Sequence, residues 1–259
     1  MSACSSASPQ TWRYIPLLEA DGATQMAIDK WLLAQHLEGN HPPTLRFYTW
    51  NPITISLGYH QRRYPEFWHD LHWQGKPIDL VRRPTGGRAV LHQGDLSYTI
   101  VTSGITGKTL EVYQFLSEFL IEGWRPLGIN LNYGKVGRGY IHHPSCFGTA
   151  TGADLVDSQG NKLIGSAQLR RGKAILQHGS MYLSLYTELF EQVFNETIQP
   201  VKIPLEESGE ELINIVEEKL QDTAINYFEI ELVNQPLTTA EWQEIKLITE
   251  VGVKVSSSY

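Results

Sequence analysis

The spacing of apolar residues along the chain predicts short strands interleaved with amphipathic helices. Alternating or clustered β-branched and aromatic residues predict strands over residues 12–18, 44–48, 53–59, 78–83, 89–92, 96–102, 131–136 and 227–233. Apolar residues at three- and four-residue spacing predict helices over residues 22–34, 110–124, 185–194, 212–220 and 242–249, and residues 65–73 are expected to form a short helix or an irregular segment. Because strict βαβ alternation is absent, the pattern favours an α+β fold of mostly antiparallel mixed sheets with packed helices.

Local signals mark the ends of several elements. Asn51-Pro52 predicts a turn that joins residues 44–48 and 53–59 into a hairpin. A second hairpin is expected around residues 157–161, followed by a strand carrying Gln177 to Ser180. Two Ser/Thr-x-x-Glu sequences predict capping boxes before the last two helices: Ser208 with Glu211, and Thr238 with Glu241.

The chain shows no internal repeat and no low-complexity linker. Its first residues, MSACSSASPQ, have no apolar core, so we expect a disordered tail over residues 1–11. Residues 12–259 are expected to form a single domain.

Charge and composition exclude several classes of protein. The 259-residue chain carries a net charge of -7, whereas general nucleic-acid binding needs an extended basic face. No stretch approaches the roughly 20 apolar residues of a membrane span, and the tail lacks the apolar run of a signal peptide. We therefore expect no membrane segment. The two cysteines, Cys4 and Cys146, are expected to be free thiols in a reducing cytoplasm.

Paired glycines follow the strand predicted to end at Arg83. Gly86 and Gly87 let the backbone approach a ligand closely because no Cβ intervenes, and their N–H groups can form a concave donor surface. An ordinary hairpin turn is the alternative interpretation. The loop is not a P-loop, because the required spacing to Gly-Lys-Ser/Thr is absent.

Cys146 is the candidate nucleophile. A thiol can attack a thioester and hold its acyl group if the thiolate is accessible and stabilised. The hairpin around residues 157–161 would bring Lys162 back towards Cys146, where a cation stabilises a thiolate. Together with the loop at residues 82–92, this segment is interpreted as two walls of one acyl-handling site. A buried, inert cysteine is the alternative.

Two other chemistries fit the sequence less well. His142, His143 and Cys146 lie close together, as zinc ligands do, but His178 is the only plausible fourth ligand, so no metal is expected. The Gly-x-Ser-x-Gly elbow of many Ser-His-Asp enzymes is absent. His92 and His178 either line a pocket or are polar residues with satisfied hydrogen bonds.

Several linked motifs run in order through residues 23–185. They are MAID at 26–29, LRFYTW at 45–50, SLGY at 56–59, RRPTGGRAVLH at 82–92, GNKLIGSAQ at 160–168 and LQHGS at 176–180. Together they resemble the biotin/lipoate protein ligase superfamily: its opening segments, its Arg-Arg-x-Ser/Thr-Gly-Gly loop, its lysine strand and the His-Gly-Ser/Thr strand that follows. The sequence around Cys146, PSCF, is most similar to the cysteine-containing, lipoate-ligase-like octanoyltransferase branch of that superfamily.

This resemblance implies a protein N-octanoyltransferase of lipoate biosynthesis. Cys146 would form an acyl-thioester and Lys162 would activate it. The donor would be octanoyl-acyl carrier protein, and the acceptor a lysine of a lipoyl domain of a 2-oxoacid dehydrogenase or of the glycine cleavage H protein. No cofactor is implied, and ATP is not expected, because Arg88 replaces the third glycine common in adenylating ligases. Residues 148–154 depart from the branch's usual sequence and bear on acyl-chain length and acceptor choice.

The substrate-binding residues implied by the resemblance are Arg83, Thr85, Gly86, Gly87, Val90, His92, Gly165, Ser166, Ala167, Gln168, His178 and Gly179. The acyl chain is expected in an apolar slot formed by Val90, Leu91 and the glycine loop. Two alternatives stay open. An ATP-dependent lipoate-protein ligase would need Lys162 and magnesium but tolerate loss of Cys146. A non-catalytic acyl- or cofactor-binding relative would bind without turnover.

Overall fold

The computed structural model describes residues 9–134 and 152–252, and the α+β prediction is confirmed within them. The strands are β1 (Gln10–Ala20), β2 (Thr44–Trp50), β3 (Thr54–Leu57), β4 (His72–Trp73), β5 (Lys76–Pro77), β6 (Asp79–Arg82), β7 (Val90–His92), β8 (Asp95–Ser103), β9 (Asn132–Tyr133), β10 (Leu155–Val156), β11 (Lys162–Arg171), β12 (Ala174–Tyr182) and β13 (Ile230–Asn234). The helices are α1 (Gly22–Glu38), α2 (Thr109–Phe115), α3 (Glu118–Trp124), α4 (Thr187–Phe194), α5 (Gly209–Phe228) and α6 (Thr239–Gly252), with a 3₁₀ helix at Glu66–Asp70.

Eight strands form the main sheet, in the order β13-β1-β2-β8-β12-β11-β10-β9. β1 runs parallel to both of its neighbours, and the remaining pairs are antiparallel. β1 starts earlier than predicted: Gln10 and Thr11, assigned to the tail, pair with Ile230 and Glu231 of β13. β8 is buried from Asp95 through Thr102, as expected for a central strand covered on both faces.

A second sheet holds the glycine loop beside the first. Its order is β6-β3-β7, with β3 parallel to β6 and antiparallel to β7. The predicted hairpin between β2 and β3 is wrong, because both edges of β2 are already paired, with β1 and β8. The chain leaves the main sheet at Asn51-Pro52 and starts the small one at Thr54.

The helices agree with prediction in place but differ in extent. The single helix predicted over residues 110–124 is two helices, α2 and α3, separated at Leu116 and Ser117. The box at Thr238 forms, since Thr238 N–H donates to Glu241 Oε2 (2.7 Å) and Glu241 N–H to Thr238 Oγ1 (3.3 Å). The box at Ser208 does not, because the Ser208 side chain makes no capping hydrogen bond.

Three apolar clusters surround the sheets. One packs the main sheet against α2, α3 and α5, and a second packs its other face against α1 and α6. The third lies between the small sheet, the 3₁₀ helix and α4. Within the described ranges, none of the helices combines the length and apolar content that crossing a bilayer requires.

Candidate active site

A cavity of about 260 Å³ opens between the two sheets, α1 and α2. Among the described residues it is lined by Met26, Tyr48, Trp50, Ser56, Arg83, Gly86, Gly87, Val90, His92, Ser97, Thr109, Tyr113, Ala153, Asp154, Gly165, Ser166, Ala167, Gln168, Arg170, His178, Gly179 and Ser180. The loop at residues 82–92 and the strands β11 and β12 therefore do form walls of one cavity. Its volume lies near the lower end of the roughly 300–1,000 Å³ typical of small-ligand sites.

Arg83 fixes the shape of the glycine loop. Its guanidinium is buried and donates to the carbonyl oxygens of Ser56 (2.8 Å), Gly86 (2.9 Å) and Arg88 (2.6 Å). Gly58 lies against the same loop so closely that an added Cβ would sit 1.9 Å from the Gly87 carbonyl oxygen. Gly58 thus allows a close backbone approach to the glycine loop, and Arg83 holds that loop's backbone while lining the cavity.

His178 joins the second wall to the first. It sits on β12, where Nδ1 lies 2.6 Å from Asp29 Oδ2 of α1 and Nε2 lies 2.6 Å from Thr85 Oγ1 of the glycine loop. An ionised carboxylate only accepts hydrogen bonds, so Nδ1 donates to Asp29, and Nε2 shares the second hydrogen bond of the ring with the Thr85 hydroxyl. His178 therefore both lines the cavity and has its hydrogen bonds satisfied.

Asp29 is the buried anion of this network. Its Oδ1 accepts from Arg46 Nη2 (2.6 Å), Arg46 Nε (3.1 Å) and Thr99 Oγ1 (2.9 Å), and Asp29 and Arg46 are both fully buried. Burial favours the protonated acid, but the Arg46 guanidinium and His178 outweigh it and hold the pKa of Asp29 below its ordinary value. The guanidinium carbon of Arg46 also lies 3.9 Å from the centre of the Tyr48 ring, and Tyr48 lines the cavity.

His92 organises the opposite side of the cavity. Its Nδ1 lies 2.8 Å from Asp95 Oδ2, its Nε2 lies 2.8 Å from Ser56 Oγ, and its ring stacks on Trp50 at 3.7 Å. Burial lowers the pKa of His92 despite the nearby Asp95 carboxylate, so the ring is neutral at pH 7. The connectivity is that of a Ser-His-Asp triad, yet Ser56 is only 1% exposed and its Oγ also accepts from Arg83 Nη1 at 3.3 Å. These contacts fit a rigid polar wall.

The part of β11 that lines the cavity is held by tyrosines. The Tyr113 hydroxyl donates to the Ser166 carbonyl oxygen (2.8 Å), and the Tyr98 hydroxyl lies 2.9 Å from Ser166 Oγ. An added Cβ on Gly179 of β12 would come within 2.7 Å of Gly165 O and Ser166 Oγ. Small residues in this strand pair therefore keep the wall close to the tyrosines.

Lys162 begins β11 and lies behind the cavity wall. Its side chain is 3% exposed, and Nζ lies 2.9 Å from Oδ1 of Asp154, whose side chain is 4% exposed and which lines the cavity. The hairpin that returns the chain to Lys162 is present, with Asp157 N–H donating to the Asn161 carbonyl oxygen (2.9 Å).

Cys146, the candidate nucleophile, lies outside the described residues, as do the His142 and His143 of the metal alternative. Within the described part of the chain, no group of three or more His, Cys, Asp or Glu is arranged to hold a metal ion.

The structure thus brings most of the predicted binding residues to one cavity. Thr85 contacts it through His178, while Leu91, expected in the acyl slot, is instead fully buried in the cluster beneath the small sheet. No role was predicted from the sequence for Asp29, Arg46, Ser56, Asp95 or Asp154. The first three stand inside matched motifs, which was the available signal, whereas Asp95 and Asp154 have none.

Comparison with known proteins gives the family. The model of the lipoyl protein ligase A/B catalytic domain matches residues 21–234. Octanoyltransferase LipM of Halalkalibacterium halodurans is 32% identical over 93% of this chain and 95% of its own length. LipM of Kyrpidia tusciae is 40% identical over 69% of this chain and 68% of its own.

Solved structures agree on the fold. The putative lipoate protein ligase Ta0514 of T. acidophilum, with bound lipoic acid, superposes with a TM-score of 0.76 at 22% identity, covering 93% of this chain and 95% of that one. Lipoate-protein ligase A bound with ATP gives 0.75 at 22% identity, over 93% and 94% of the two chains. With its family model covering most of the sequence, the chain belongs to the lipoyl protein ligase A/B catalytic domain family and has the lipoate-ligase fold.

Proposed function

We propose that this protein is an octanoyltransferase of lipoate biosynthesis. It moves an octanoyl group from acyl carrier protein to a specific lysine of a lipoyl domain or of the glycine cleavage H protein, through a thioester on Cys146. The observation that carries the proposal is the name shared by its relatives, octanoyltransferase LipM, at 32% identity over 93% of the chain. The protein is an acyltransferase that we place in the cytoplasm.

The first half-reaction is a thioester exchange. The Cys146 thiol gives up its proton, and the thiolate attacks the octanoyl carbonyl carbon and forms a carbon–sulfur bond. Collapse of the tetrahedral intermediate breaks the bond to the carrier's sulfur, which leaves as a thiolate and takes up a proton. Lys162 supplies the positive charge that favours the Cys146 thiolate.

The second half-reaction forms the amide. The neutral amine of the acceptor lysine attacks the Cys146 thioester, the carbon–nitrogen bond forms, and the bond to Cys146 breaks. The proton lost by the amine ends on the departing Cys146 thiolate, relayed by Lys162. In each half-reaction, backbone donors at residues 165–168 or 86–87 stabilise the oxyanion.

The cavity supports this assignment through its shape and its rigidity. Trp50, Val90 and Met26 supply apolar surface for an acyl chain, while Arg83 fixes the glycine loop and His178 joins that loop to β12. The charged and polar groups around it are engaged with one another, so an apolar chain can enter without leaving them unpaired.

The competing function is ATP-dependent ligation of lipoate. It draws on the fold shared with lipoate-protein ligase A, and that protein's structure holds ATP. Arg88, at the position of the third glycine in adenylating ligases, weighs against it.

One assay separates the proposals. Purified protein is incubated with a lipoyl domain and either octanoyl-acyl carrier protein or free octanoate or lipoate, each with and without ATP and magnesium, and the acceptor is weighed by intact mass. Octanoylation without ATP is expected. Modification of the acceptor by free octanoate or lipoate that requires ATP would show a ligase instead, and no modification under either condition would indicate a non-catalytic binder.

A further inference from the structure

We propose that Asp154 is a positioning residue that holds the Lys162 ammonium charged and in place during octanoyl transfer. This inference rests on the proposed function. It adds to that function a role for Asp154, a residue outside the sequence motifs named above. Asp154 is the last residue of the run at residues 148–154, which departs from the branch's usual sequence.

The geometry is that of a buried ion pair. Lys162 Nζ and Asp154 Oδ1 are 2.9 Å apart, with side chains 3% and 4% exposed. Removing such charges from water costs several kcal/mol for each ion, and a buried pair repays this only with good geometry and further hydrogen bonds. An apolar pair of similar size would stabilise the fold as well or better. The pair is therefore better explained by what its charge does than by stability.

The backbone that carries this carboxylate is hydrogen-bonded on both sides. The Asp154 carbonyl oxygen accepts from Gly134 N–H (2.8 Å), and the next residue, Leu155, pairs with Tyr133 of β9 and Ile164 of β11. Asp154 also lines the cavity that holds residues 165–168 on another wall. One carboxylate thus touches both the cavity and the buried ammonium.

The Asp154 carboxylate affects how readily Lys162 keeps its proton. Burial alone favours loss of the proton from a lysine, and a carboxylate at hydrogen-bond distance favours its retention. Among the described residues nearby, Asp157 accepts from the Gln159 and Asn161 backbone, and Tyr133 donates to Glu118. Asp154 accordingly favours the protonated form of Lys162, which is the form that stabilises a thiolate and an oxyanion.

The test compares Asp154→Asn with the wild type by the pH dependence of octanoyl transfer. An opposite charge at this range shifts proton affinity by about 1–3 pH units, so the alkaline limb of the rate profile moves down by that amount in D154N. Asp154→Glu keeps the charge, so its alkaline limb is expected at the wild-type pH, although octanoyl transfer is slower. Asp157→Asn removes a carboxylate from the same hairpin and leaves the limb where it was. A D154N enzyme that is merely slower at every pH, with an unmoved limb, would overturn the inference.

A second measurement needs neither activity nor a stable variant. Trace acetylation across pH, followed by peptide mass spectrometry, gives the pH at which each lysine loses its proton. In the wild type, the midpoint for Lys162 is expected at or above that of exposed Lys202, and in D154N below it. A wild-type midpoint well below that of Lys202 refutes the role of Asp154 even if D154N fails to fold. Absence of any transfer by the wild type would instead refute the proposed function, and the labelling still decides the inference.

Discussion

Asp29→Asn is the substitution that most directly probes the buried network behind the cavity. Asp29 accepts from Arg46, Thr99 and His178, and neither it nor Arg46 is exposed to solvent. The asparagine removes the negative charge and turns an NH₂ group towards one of these donors. Arg46 is then left as a buried cation without its counter-ion.

The expected loss of stability follows from that unpaired charge. Breaking a buried ion pair by removing one partner costs about 3–5 kcal/mol. In a chain of this size each kcal/mol lowers the melting temperature by about 2–4 °C, so Asp29→Asn is expected to melt about 6–20 °C below the wild type. Thermal unfolding followed by circular dichroism measures the shift. Octanoyl transfer is also expected to fall at temperatures where the variant is folded, since His178 loses its anchor.

A matched variant and a pH series complete this test. Asp222→Asn makes the same change at an exposed position of α5 and is expected to stay within about 0.5 kcal/mol of the wild type. Because the folded pKa of Asp29 is below its ordinary value of 3.8, its contribution is present above that pH and is lost as the pH falls towards the folded value. D29N lacks the contribution to stability that the wild type loses at acid pH. If D29N melts like D222N, or keeps the wild-type acid dependence, the reasoning about the network is wrong.

Two further predictions concern the cavity walls. The lowered pKa of His92 means that the unfolded chain binds a proton that the folded chain does not, so stability falls as the pH drops through 6.5. His92→Asn should reduce the pH dependence of the free energy of unfolding, measured by urea titrations, by up to about 1.4 kcal/mol per pH unit. An unchanged pH dependence would show that His92 is charged in the folded protein. Gly179→Ala drives a Cβ to 2.6 Å from Tyr98 and should cost about 1–3 kcal/mol and most of the activity, whereas Gly86→Ala, with nothing within 4 Å, should fold normally. Equal stability of the two variants would contradict this account.

Local sequence signals located the elements but not their partners. The strands β2 and β3 were placed correctly, yet alternation and a turn cannot show that β2 is already flanked by β1 and β8. The break between α2 and α3 was likewise invisible to apolar spacing. There, Ser117 is buried and its Oγ accepts from Gln177 of β12, a contact between residues 60 apart in sequence.

In the candidate site, too, local sequence signals located some residues and missed those whose role depends on a distant partner. The glycine loop, residues 165–168 and both histidines could be found because they stand in linked motifs, and all contact one cavity. Asp95 and Asp154 could not, because each is a single acidic residue whose importance comes from a partner brought near by the fold. Long-range contacts of this kind leave no periodic or spaced pattern in the sequence.

The most direct test of the proposed mechanism is to weigh the intact protein after incubation with octanoyl-acyl carrier protein alone. We predict that the wild type gains one octanoyl group, mapped to Cys146 and released by hydroxylamine, and that Cys146→Ala gains none. Lys162→Gln should acquire the group far more slowly. An octanoyl adduct that persists in Cys146→Ala, or octanoyl transfer to a lipoyl domain by that variant at the wild-type rate, would contradict the covalent mechanism.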